Sequence, residues 1–231
     1  MMNIISILLQ TQTGSIESFQ PQVESQLSFL ELAVKGGWIM IVILAFSVIA
    51  AYIFFERYYV ISKALKKDND FINRIRDYIH DEKIESAIAL CDASNNPASR
   101  MVKKGIQHFG RPLSDIKTAL ESVAQLEINK LEKGLTGLAT IAGAAPMVGF
   151  LGTVLGLVQA FYRMSMAGNN ISVSLLADGI YMAMVTTIAG LLVGIPAFLA
   201  YNYLVSKVKH VVDYLETVSV DFMDILIEPV K

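Results

Sequence analysis

Residues 179–194 read GIYMAMVTTIAGLLVG, apolar almost throughout, yet Thr186 and Thr187 stand side by side halfway along. A third hydroxyl, Thr153, interrupts a similar stretch, GAAPMVGFLGTVLG over residues 143–156. A hydroxyl both donates and accepts a hydrogen bond, so a row of hydroxyls can pass a proton along but cannot hold one near neutral pH. No carboxylate lies inside the long apolar segments, and Asp178 sits only at the mouth of the last one. The chemistry these residues offer is relay of a proton without storage. The plainer alternative is that each hydroxyl bonds back to its own helix at i−4.

The elements that hold these hydroxyls are legible from charge. Gly36–Phe55, Gly134–Tyr162 and Gly179–Ser206 are free of Asp, Glu, Lys and Arg over 20, 29 and 28 residues. A bilayer span needs about 20 residues, so the second and third spans extend beyond the bilayer or tilt in it. Without water in the bilayer core, each must be helical. Thr153 lies 10 residues before Arg163, and Thr187 lies 9 residues after Asp178. With those charges as the outer ends of two antiparallel helices, the hydroxyls fall roughly 14–15 Å deep, level with one another and near the bilayer midplane. Matched polar groups at one depth point to a polar seam.

Over half of the 231 residues are hydrophobic and 17% are charged, the balance of a membrane protein rather than a soluble domain. A formal net charge of −2 gives no footprint for nucleic acid. One cysteine, Cys91, excludes an internal disulfide, and His80, His108 and His210 are too scattered to form a metal site or a triad. No nucleophile–base pair or phosphate loop is present, so the expectation is a non-enzyme without cofactor or metal. Fourteen Lys and Arg fall between Arg57 and Lys133, against Arg163 alone between the second and third spans. By the positive-inside rule the N-terminus is outside and the C-terminus cytoplasmic.

The resulting layout is all-α. An outer segment, 1–35, starts with MMNIISILLQ, which lacks the basic n-region of a signal peptide and reads as a short interfacial helix. A first transmembrane helix follows over 36–57, then a helical cytoplasmic domain over 58–133. A second span over 134–163, a short outer loop over 164–178 and a third span over 179–206 lead to a cytoplasmic helix over 207–231. In the cytoplasmic part, Phe71, Ile72, Ile75, Tyr78 and Ile79 share a face, and Ile84, Ala87, Ile88 and Cys91 repeat the pattern. SNNPAS and GRP break it. From Leu113 onward the pattern runs without an evident turn into the second span, which predicts one very long helix. Arg57, Lys63, Lys66 and Lys67 at the inner end of the first span are either a solvated surface or a docking place for lipid or a partner.

The first span is bulky, as suits a lipid-facing helix. The other two carry Gly149, Gly152, Gly156, Gly190 and Gly194, with inner prolines at Pro146 and Pro196. Gly152/Gly156 and Gly190/Gly194 are small-xxx-small pairs that let helices approach closely. Such pairs either pack helices and nothing more, or build the wall of a polar pathway and a closed homo-oligomer.

The pairing of APMVGFLGTVLGLVQAF with GIYMAMVTTIAGLLVGIPAFLAYN, after one span and a helical loop, resembles the MotA/TolQ/ExbB proton-channel family, its ExbB branch most. The likeness is strong over the second and third spans and loose over the whole layout. It implies a homopentamer in the inner membrane of a Gram-negative bacterium, with an ExbD-like dimer in the central pore and a TonB-like protein carrying the motion to outer-membrane transporters. It makes Thr153 and Thr187 pore-wall residues, with Thr186, Met182 and Asp178 beside them. Many ExbB members carry a glutamate five residues before the span-three threonine, where this chain has Met182. The alternatives are a TolQ- or MotA-like motor subunit for envelope constriction or motility, and a membrane scaffold that conducts nothing.

Overall fold

A computed structural model describes residues 36–65, 70–167 and 173–227. The N-terminal segment expected to lie on the outer interface, together with Lys66 and Lys67, falls outside the described residues. The described chain is all-α: α1 (Trp38–Ala64), α2 (Phe71–His80), α3 (Ile84–Ser94), α4 (Pro97–Ile106), α5 (Leu113–Glu132), α6 (Leu135–Met166) and α7 (Val173–Ile227). Three stretches are long and apolar enough to cross a membrane, in α1, in α6 and in the first half of α7.

The shorter helices α2 to α5 form because each has one apolar stripe to bury. On α2, Phe71, Ile75 and Ile79 recur every four residues and are buried. Asn96 starts α4: its side chain accepts from the Ser99 backbone N–H at 2.7 Å, and the Ser99 hydroxyl faces back to the Asn96 N–H at 3.1 Å. Pro97, at the first helical turn, costs no hydrogen bond there. The receiving surface is the second half of α7. Leu204, Val208, Val211, Leu215, Val218, Phe222 and Ile225 are all buried, and their alternating four- and three-residue steps are the spacing of a coiled-coil seam. Phe222 reaches so close to Gly105 that a Cβ there would lie 2.5 Å from its ring. α7 therefore joins the apolar hairpin and the shorter helices α2 to α5 as one unbroken rod of 55 residues, about 80 Å long at the usual rise.

The very long helix expected from Leu113 is two helices. Lys133 takes an extended conformation (φ −55, ψ 125) and Gly134 a left-handed one (φ 90), which ends α5 and starts α6. Gly134 is the ordinary glycine stop just past a helix with a basic last turn, a signal that the unbroken apolar pattern on either side conceals. Pro146 and Pro196, by contrast, remain inside α6 and α7 without ending them.

Candidate functional site

α6 and α7 pack antiparallel through a seam of small residues. A Cβ built on Gly190 would lie 2.6 Å from the Ala145 carbonyl oxygen and 3.0 Å from Gly149 Cα; one on Gly149 would lie 2.8 Å from the Thr186 carbonyl oxygen and 3.3 Å from Thr187 Cα. Those neighbours are backbone and cannot give way, so only glycine permits the approach. Toward the inner side Gly194 leaves a notch for the Pro146 ring, 2.5 Å from where a Cβ would stand. Toward the outer side Gly156 meets the Gly179 carbonyl. The glycine seam joins two helices of one protomer, so by itself it supplies no contact between copies. Pro196 is not part of it: it lines an apolar groove of about 510 Å³ between α1 and α7.

The seam separates the three hydroxyls. Thr186 is fully buried against Gly152, and its hydroxyl lies 2.9 Å from the Ala183 carbonyl and 3.2 Å from the Met182 carbonyl. Thr153 donates to the Phe150 carbonyl at 2.6 Å. Both follow the back-bonding alternative. Thr187 does not: its hydroxyl oxygen is buried and meets no hydrogen-bond partner among the described residues. A buried hydroxyl left unpaired costs about 1–3 kcal/mol.

Gly152 faces Thr186 and Gly149 faces Thr187, so Thr153, four residues beyond Gly149, stands about one helical turn from Thr187. The hydroxyl layer is not midway along α1. The turn that opens α1 lies beside it, with a Cβ on Gly36 3.5 Å from Thr186 Cγ2 and one on Gly37 3.2 Å from Met182 Cε. At the other end Tyr58 stacks on Tyr203 at 6.3 Å, 17 residues beyond Thr186, about 26 Å. Measured against α1, the hydroxyl layer stands at the N-terminal end, and α7 begins beyond it, with Asp178 about 12 Å before Thr186.

Asp178 and Met182 line a small pocket near the start of α7 with Gln159, Arg163 and Tyr181. Nothing in the sequence periodicity had marked Gln159 or Tyr181. At the junction of α5 and α6, Arg57 turns toward the protein. Its guanidinium donates to the Lys130 carbonyl at 3.3 Å and pairs with Glu56 at 2.5 Å, satisfying one of the carbonyls that the end of α5 leaves open. It also packs over Gly134, whose Cβ would lie 3.5 Å from Arg57 Nε. Lys63 stays exposed in the last turn of α1. Deeper in the cytoplasmic domain, Glu127 is buried and accepts from Arg100 at 2.5 Å and Lys130 at 2.7 Å. Burial pushes its pKa up, but the hydrogen bonds from Arg100 and Lys130 outweigh that and hold it below the ordinary carboxylate value.

Fold and site together define an all-α membrane protein whose two longest helices form a glycine-packed hairpin with a hydroxyl layer. The model of the MotA/TolQ/ExbB proton channel family matches residues 93–217, more than half of the chain, and the chain belongs to that family. It is similar to a biopolymer transport protein ExbB of Neisseria gonorrhoeae, 30% identical over 68% of this chain and 76% of the relative. It is also similar to the Tol-Pal system protein TolQ of Haemophilus influenzae, 28% identical over 80% of this chain and 87% of the relative. A biopolymer transport protein ExbB of Aquifex aeolicus is 43% identical over a shorter stretch, 46% of this chain and 70% of the relative.

Proposed function

We propose that this chain is the non-enzymatic stator and channel subunit of a proton-motive-force-driven motor in the bacterial inner membrane. Five copies surround an ExbD-like dimer, and the motion passes through a TonB-like protein to outer-membrane transport. The N-terminus is periplasmic and the C-terminus cytoplasmic, in line with the basic residues that flank the inner ends of the spans. The observation that carries the reading is the Thr187 hydroxyl, buried and bonded to nothing among the described residues. A water or a partner's carboxylate would complete it. No Asp or Glu lies between Asp178 and Asp213, so the proton-holding group beside this layer belongs to the partner. The likeness to TolQ over most of that relative's length keeps a second reading, a Tol-type motor acting on the envelope; the partner encoded beside this chain separates the two.

The test uses the complex purified with its partner. Thr→Val keeps the shape and removes the hydroxyl. Thr187→Val should leave the chain at least as heat-stable as the wild type, because an unpaired buried hydroxyl is removed. Together with Thr153→Val it should abolish proton-dependent work while the complex keeps its mass. Full activity in the double variant rejects the pathway, and loss of assembly assigns the hydroxyls a structural task.

A further inference from the structure

Between Glu132 and Asp213 the chain holds a single carboxylate, Asp178, and between Lys133 and Lys207 a single Lys or Arg, Arg163. They belong to different helices, yet both line one pocket of about 260 Å³ at the end of the hairpin, together with Gln159 and Met182. The one acid and the one base of this long apolar stretch are thus brought to one place. The backbone beside Asp178 is held close to α6: a Cβ built on Gly179 would lie 2.4 Å from Ala160 Cβ and 2.8 Å from the Gly156 carbonyl oxygen.

We propose that Asp178 is the outer proton-loading group of this channel. The inference rests on the functional reading above. Hydronium arriving from the outer side gives its proton to the Asp178 carboxylate and leaves as water; the carboxyl then releases that proton to a water on the way to the hydroxyl layer, restoring the carboxylate. Asp178, Met182 and Thr186 are spaced by four residues and share one helix face. Thr186 lies eight residues on, about 12 Å deeper, which a file of three or four waters spans at about 2.8 Å each. Met182 stands between as an apolar plug, so the pocket and the hydroxyl layer connect only when water passes it. Among the described residues lining the pocket, Arg163 on α6 is the only other charged group and Tyr181 on α7 the only other titratable one.

The experiment reconstitutes the whole complex with its partner into liposomes and follows proton entry with a pH-sensitive dye, normalised to assembled complex by mass. Asp178→Asn should assemble at wild-type mass and lower the flux by about tenfold or more, while Asp178→Glu stays within about twofold of wild type. Wild-type flux in Asp178→Asn overturns the inference, and so does failure of that variant to assemble, which would make the side chain structural. If Asp178→Asn conducts normally while the Thr153/Thr187 double variant does not, this inference fails and the channel reading stands. If the wild-type complex conducts no protons, the channel reading itself falls.

Discussion

The side chain of Thr186 occupies the space that Gly152 leaves open: a Cβ on Gly152 would lie 2.6 Å from Thr186 Cβ. One helix supplies the hollow and the other the hydroxyl, so the layer and the packing seam are the same structure. Gly152→Ala and Gly190→Ala should therefore each lower stability by about 1–3 kcal/mol through overpacking. Gly143→Ala is the control, since nothing lies within 4 Å of its would-be Cβ and alanine favours the helix. Thermal unfolding in mild detergent checks the contrast. Equal behaviour of the three variants would show that the seam is looser than described.

Glu127 makes the packing of α4 against α5 acid-sensitive. Its folded-state pKa is depressed, so the native state holds its proton less readily than the unfolded chain does. The stabilisation is fully present above the ordinary carboxylate value, about 4.3, and is lost as pH falls through the lower folded-state value. Glu127→Gln should cost about 1–3 kcal/mol near neutral pH, where the charged hydrogen bonds disappear. It should also flatten the decline of melting temperature on acidification. A variant that declines as steeply as the wild type would assign the acid limb to other carboxylates.

Cys91 is buried, and burial, with Asp92 adding to it, pushes its thiol up to about 12. The thiolate is the reactive form, so the native protein should resist thiol reagents at pH 8 and react once denaturant opens the domain. That silence makes the chain its own blank for topology. In spheroplasts, Ser165→Cys, exposed near the end of α6, should react with a membrane-impermeant maleimide, whereas Lys83→Cys should be protected until the membrane is lysed. The reverse pattern would invert the proposed orientation.

Read along the chain, the spans, the helical class and the family resemblance were all available, because lipid imposes long charge-free runs and helices on any sequence that crosses it. The stop at Gly134 was available too, as a glycine following a basic turn, but the apolar periodicity on both sides hid it. The seam on α7 from Leu204 to Ile225 is likewise written in the chain as a heptad, legible once the partner helices are known.

The sequence by itself determined that this chain crosses the membrane as helices, that two of them carry small residues and hydroxyls, and that no carboxylate lies among those hydroxyls. These follow from residue type and spacing alone. Only the tertiary structure decided which hydroxyl is left without a partner, because Thr153, Thr186 and Thr187 look alike in sequence and differ only in the carbonyl each can reach. It also decided that the hydroxyl layer stands at the N-terminal end of α1, that Arg57 caps α5, and that Asp178 and Arg163 share a pocket. Each of these depends on how far one helix slides against another, and that offset is set by glycine contacts between backbones, which the sequence of either helix alone does not record.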